Sequence, residues 1–142
     1  KELGCNKIAL GHHFDDVIET ILMSMLYGGE VKTMMPKLHS TNFEGLELIR
    51  PMYFIREKKI ISWAKNNKLS FLNCACKFTE QNSKKENESK RKEIKELIEN
   101  LEEVSSYIPM NIFKSVYNIN LNTIIGYHKD DMKYNFLDDY DN

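Results

Sequence analysis

A strand-to-helix corner near the start of the chain constrains the fold more than any other feature. Residues 7–10, Lys-Ile-Ala-Leu, form a short apolar run that reads as a buried strand and ends on Gly11. Residues 15–27 follow almost at once, with Val17, Ile18, Ile21, Leu22, Met25 and Leu26 at the spacing of one helical face. Between the two lie His12, His13, Phe14, Asp15 and Asp16. Asp15 or Asp16 is placed to cap the helix, with Glu19 as the capping-box partner if Asp16 is the cap. Gly28 and Gly29 stop the helix.

The rest of the pattern extends this beginning. Residues 31–46 carry Pro36 and Gly45 with little periodicity and read as a loop. Residues 46–53 read as a strand ended by Pro51, residues 55–68 as an amphipathic helix and residues 69–73 as one more short strand. The order strand, helix, loop, strand, helix, strand predicts an α/β fold with a parallel sheet. After Cys76 the composition shifts, for residues 80–93 contain no apolar side chain. Ile94, Leu97, Ile98, Leu101 and Val104 then form a helical stripe, and Pro109 sits in the first turn of a further helix over 109–119. Residues 1–78 are therefore expected as an α/β unit and 79–129 as a helical extension. The stretch 130–142, with five aspartates, is expected as a disordered acidic tail.

The 142 residues suffice for one ordinary domain, and 42% hydrophobic with 29% charged residues fits a globular protein. A net charge of -1 excludes a global basic field of the kind that marks a free-standing nucleic-acid module. There is no apolar run of about eighteen residues to span a membrane. The chain opens on Lys1 and enters a strand almost directly, so a fragment is expected, with sequence missing before it. Cys5, Cys74 and Cys76 are odd in number, and two are spaced Cys-x-Cys. This is no disulfide framework and points to a reducing compartment, the cytoplasm.

The corner offers the first chemistry. Polar residues between a strand end and a helix start lie at the carboxyl edge of a sheet, where ligands of open α/β folds bind. Gly11 lets a ligand approach the backbone closely. Adjacent carboxylates at a helix amino end can hold Mg²⁺, which in turn binds phosphate oxygens. The plainer alternative is a helix cap flanked by solvated histidines. A tetrahedral zinc site fits less well, because adjacent side chains here diverge. Cys74 and Cys76 are either buried packing residues or soft-metal and sulfur-carrying thiols, and as a pair they cannot complete a cluster. Lys84, Arg91 and Lys95 share a helical face that could meet RNA phosphates, as could Lys90. Interleaved glutamates make a solvated surface equally consistent. Arg50 and Arg56 flank the second strand-to-helix turn and can point into the same cleft or pair with a nearby carboxylate.

Taken together, residues 7–29, "MMPKL", "LIRPMYFIREKKIISWA", "CAC" and "SKRKEIKELI" resemble the tRNA 2-thiocytidine biosynthesis (TtcA-like) branch of the PP-loop ATPases, from about residue 3 to residue 120. Cys-Ala-Cys departs from the Cys-x-x-Cys of that family. The serine–glycine phosphate cradle and an earlier cysteine pair are not in this sequence.

The resemblance implies an adenine nucleotide alpha hydrolase-like (Rossmann-like) domain. It implies ATP and Mg²⁺ that adenylate the C2 oxygen of a tRNA cytidine, and a sulfur nucleophile that displaces AMP. It also implies a 4Fe-4S cluster, with Cys74 the first choice and Cys76 the second as a ligand. On this basis Asp15 and Asp16 are the catalytic candidates, and Asp16 is the better Mg²⁺ holder by motif position. Gly11 and His12 line the nucleotide pocket through their backbone, and His13 contacts nucleotide or tRNA. Arg50, Arg56, Lys90 and Arg91 are candidates for tRNA. The implied partners are tRNA, a sulfur-donor protein and a second copy in a homodimer, with no membrane. A fragment without the cradle is expected to be inactive by itself. The alternatives are a lysidine synthetase-like ligase, whose chemistry needs no thiols, and a non-catalytic binding homologue.

Overall fold

The computed structural model describes residues 4–71, 82–138 and 140. Strand β1 spans Lys7–Ala9, helix α1 Phe14–Gly28, strand β2 Lys37–His39 and strand β3 Glu47–Ile49. Helix α2 spans Glu57–Asn66, α3 Asn82–Val104 and α4 Ile108–Ser115. Strands β4, Gly126–Lys129, and β5, Met132–Asn135, close the series.

The first three strands form one sheet in the order β1-β3-β2. β1 and β3 are parallel, with Ile8 opposite Leu48, as the α/β pattern predicts. β2 adds an antiparallel strand, with Leu38 opposite Leu48. It lies within the stretch expected as a loop. Its residues Lys37, Leu38 and His39 are too few to display a strand's period of two. β1 is less covered than its apolar sequence predicts. Lys7 and Ala9 are exposed and Ile8 is half-buried, because β1 is an edge strand of this sheet. Beyond the strands, a parallel bridge between His13 and Met52 and a bond from the Phe14 N–H to the Ile55 carbonyl (3.0 Å) hold the two chain crossings side by side.

The core lies on α1. Phe14, Val17, Ile18 and Ile21 are buried against Tyr53, Ile94, Ile98 and Phe113. The Phe14 and Phe113 rings stack at 4.7 Å, which docks α4 on the start of α1. Of the apolar stripe expected on α3, Ile94 and Ile98 are buried, while Leu97 and Val104 are exposed. These buried positions are one turn apart and face α1. On α2, Ala64 is buried and Trp63 is exposed. The helix α1 ends with Gly29 in the left-handed region (φ 64°, ψ 25°), its N–H bonded to the Ser24 carbonyl. Buried Ser24 also ties the chain beyond the helix, accepting from the Lys32 N–H at 3.2 Å.

The acidic stretch from Asp130 differs from expectation. Asp130 and Asp131 (φ 49° and 63°) form the two-residue turn of the β4–β5 hairpin, whose Tyr127 and Tyr134 rings stack at 4.7 Å. A turn of this hand needs two left-handed residues, and aspartate tolerates that conformation. These aspartates are thus turn formers, and residues 126–129 are strand, not helix. The strand expected over 69–73 is absent at 69–71, and its remainder lies outside the described residues.

Candidate functional site

The corner after β1 is built by reciprocal capping. His13 is the N-cap of α1, in extended backbone, and its Nδ1 accepts from the Asp16 N–H at 3.4 Å. Asp16 Oδ2 accepts from the His13 N–H at 2.9 Å. The capping box is therefore His13 with Asp16, one turn earlier than the expected pairing of Asp16 with Glu19. A histidine cap is what sequence preference would not select, since Ser, Thr, Asp and Asn dominate there.

Asp15 points the other way, to α2. Its Oδ2 accepts from the Glu57 N–H at 2.6 Å and its Oδ1 from Arg56 Nε at 2.9 Å. It thus supplies the side-chain cap that Arg56, the N-cap residue of α2, does not make. Arg56 also makes a two-pronged contact with Glu102 on α3, at 3.1 and 2.8 Å, and its guanidinium lies over the Phe14 ring at 5.3 Å. Lys58 Nζ reaches the same Glu102 at 2.8 Å. The two cations hold the Glu102 carboxyl down to about 2.

Glu19, one turn along α1, is 6% exposed. Burial raises its pKa, against the lowering effect of Arg91, whose Nε donates to Glu19 Oε2 at 2.8 Å. The same guanidinium stands 3.5 Å from Asp16 Oδ1. Beside these pairs lies a cavity of about 210 Å³ lined by Asp15, Glu19, Arg56, Glu57, Lys95 and Glu102. It belongs to the junction of α1, α2 and α3, not to the Gly11 edge.

At that edge, Gly11 is exposed, and a Cβ there would meet nothing within 4 Å. Arg50, just after β3, donates from Nε to His12 Nδ1 at 3.2 Å and also bonds the Met35 carbonyl. The carboxyl ends of the parallel strands β1 and β3 therefore meet through Arg50 and His12. Lys90 is placed over the Tyr27 ring at 5.4 Å, and Tyr27 donates to Glu93 at 2.8 Å.

The structure so forms two groups: Gly11, His12 and Arg50 at the strand ends, and His13, Asp15, Asp16, Arg56 and Arg91 around the start of α1. Lys90 stands apart on Tyr27. Cys74 and Cys76 lie outside the described residues. Glu102 and the Glu19–Arg91 pair carry no signal in the sequence, since their partners are 46 and 72 residues away. Among the described residues, no group of three or more His, Cys, Asp or Glu side chains converges on a metal position. No described helix is long and apolar enough to cross a membrane.

A parallel α/β unit with a polar helix start at its carboxyl edge is the frame of a nucleotide-binding domain. The family model of the PP-loop domain matches residues 1–101, and the chain belongs to that family. Among its relatives is tRNA-cytidine(32) 2-sulfurtransferase 1 of Francisella philomiragia, 38% identical over 119 residues, which are 84% of this chain and 44% of the relative. The tRNA-cytidine(32) 2-sulfurtransferase of Geotalea uraniireducens is 35% identical over 81% of this chain and 43% of its own. That of Neisseria meningitidis is 47% identical over 74 residues, 52% of this chain and 23% of its own. The chain spans less than half the length of each of these relatives. In architecture it is similar to the U34-tRNA thiolase NcsA from Methanococcus maripaludis, solved with its [4Fe-4S] cluster. The TM-score is 0.57 at 23% identity, over 89% of this chain and 42% of that one.

Proposed function

We propose that this chain is part of an ATP-dependent tRNA sulfurtransferase of the cytoplasm. The enzyme activates the C2 oxygen of a cytidine in tRNA by adenylation and replaces it with sulfur. The observation that carries this reading is the 38% identity over 119 residues to a tRNA-cytidine(32) 2-sulfurtransferase.

The residues present fit a nucleotide and a Mg²⁺ ion. Among the described residues, nothing stands within 4 Å of where a Gly11 Cβ would be, so the backbone edge there is open. Such an edge lets a ligand approach the backbone closely. His12, fixed by Arg50, borders the same edge. Mg²⁺ takes one or two carboxylates and completes its shell with water and substrate phosphates, so the lack of a closed protein cage is consistent with it. Asp16 would hold it through Oδ1, since Oδ2 is committed to the cap and Oδ1 has only the longer contact to Arg91, at 3.5 Å. Asp15 serves the chemistry by locking α2 to the corner. A Mg²⁺ ion there would neutralise charge on the triphosphate as pyrophosphate leaves. His13, Arg50, Arg56, Lys90 and Arg91 are the candidates to meet tRNA phosphates.

Cys74 and Cys76 have the donor chemistry for part of a 4Fe-4S cluster, which would need further ligands from elsewhere. Cys74 is the first choice as ligand. A sulfur-donor protein and a second copy of the enzyme complete the partners.

The test is ATP–pyrophosphate exchange by the full-length protein with a cytidine-bearing tRNA transcript. Exchange that disappears in Asp16→Ala supports the reading, and undiminished exchange in that variant contradicts it. Iron content that falls in Cys74→Ser supports the cluster ligand. Unchanged iron moves the assignment to Cys76.

A further inference from the structure

Arg91 does something at this corner that a surface arginine does not. It comes from α3, seventy-two residues beyond Glu19, and reaches back onto the first turns of α1. Its Nε bond to Glu19, at 2.8 Å, is short and charge-assisted. Its second contact, Nη2 to Asp16 Oδ1 at 3.5 Å, is longer than an ordinary hydrogen bond. Glu19 is nearly out of solvent and cannot be left without a counter-charge. Asp16 is partly exposed and is already held by the His13 N–H through its other oxygen. The guanidinium is therefore anchored on Glu19 and leans on Asp16, and it stands over the one Asp16 oxygen that the cap does not use.

We propose that Arg91 is a positioning residue for Asp16: anchored by Glu19, it sets how tightly Asp16 takes a divalent cation. This rests on the reading of Asp16 as the cation holder. A cation arriving at Oδ1 meets a like charge on Arg91 and must displace it, so the arginine weakens its binding. Arg91 then keeps its closer partner, Glu19, so no buried carboxylate is stranded. Glu19 and Arg91 are thus opposed controls on one oxygen. Removing the arginine leaves Oδ1 more negative. Removing the Glu19 charge frees Arg91 to pair fully with Asp16 and withdraws a nearby negative charge as well. A purely structural pair would behave differently, since loss of either partner would then harm the fold and the site alike.

The experiment is titration of the full-length protein with Mn²⁺ alone, followed by the electron paramagnetic resonance signal of the free ion, with no nucleotide and no turnover. Arg91→Gln is expected to bind Mn²⁺ about tenfold more tightly than the unaltered protein, as loss of a like charge a few ångströms away demands. Glu19→Gln is expected to bind it more weakly, and Asp16→Asn to lose the site. Arg91→Lys keeps the charge on a shorter arm and is expected to stay near the unaltered affinity. If Arg91→Gln does not fold, a Glu19→Gln affinity equal to or tighter than the unaltered one overturns the inference. A folded Arg91→Gln that binds no more tightly than the unaltered protein, with Asp16→Asn still losing the site, overturns the inference and leaves the reading of Asp16 standing. Mn²⁺ affinity unchanged in Asp16→Asn overturns both.

Discussion

The Asp15 carboxylate, in the first turn of α1, accepts the backbone N–H of Glu57 at 2.6 Å and so caps a helix forty-two residues away. Through Arg56 the same carboxylate is tied to Glu102 on α3. One side chain joins three helices, and the corner keeps its shape because of it.

Asp15→Ala removes a helix cap and leaves Arg56 with one carboxylate fewer. A loss of about 0.5–2 kcal/mol in folding stability is expected, the range for N-cap removal. Urea unfolding of the variant measures it. Unchanged stability with lost activity would instead assign Asp15 to the chemistry itself.

Phe14 is 2% exposed and lies between the Phe113 ring and the Arg56 guanidinium. Phe14→Ala leaves a cavity under that junction. The expected cost is about 3–5 kcal/mol, as for other buried aromatic truncations. Phe113→Ala is expected to loosen α4 by a similar mechanism, visible as faster amide exchange over 108–115. Protection unchanged there would show that α4 docks through other contacts.

The Glu102 carboxyl titrates at about 2 in the folded chain against an ordinary 4.5. A depressed carboxylate contributes stability that is present in full above the ordinary value and is lost as pH falls toward the folded one. The melting temperature of the unaltered protein is therefore expected to drop more steeply between pH 4.5 and about 2 than that of Glu102→Gln. Because the pair is partly exposed, the difference is expected to shrink in high salt. Parallel pH profiles of the two proteins would contradict the pairing with Arg56 and Lys58.

Much of this was legible in the residues, for identifiable reasons. The stripe from Val17 to Leu26 locates α1, expected over 15–27 and found at Phe14–Gly28, because helical spacing accumulates over several turns. The parallel pairing of β1 with β3 follows from strand–helix order. β2 and the hairpin escaped because they are three and four residues per strand, and because Asp130-Asp131 reads as acidity before it reads as a turn. In the site, the aspartates are marked by their position before α1. Their division of labour is not, since Glu57, Arg56 and Arg91 reach them from distant segments.

The proposed function makes Asp16 necessary for the thiolation of a tRNA cytidine. Its most direct test is mass spectrometry of nucleosides from tRNA of a host without 2-thiocytidine of its own, supplied with the full-length protein. 2-Thiocytidine is expected with the unaltered protein and none with Asp16→Ala at equal protein level. A normal amount of 2-thiocytidine in the Asp16→Ala cells would contradict it.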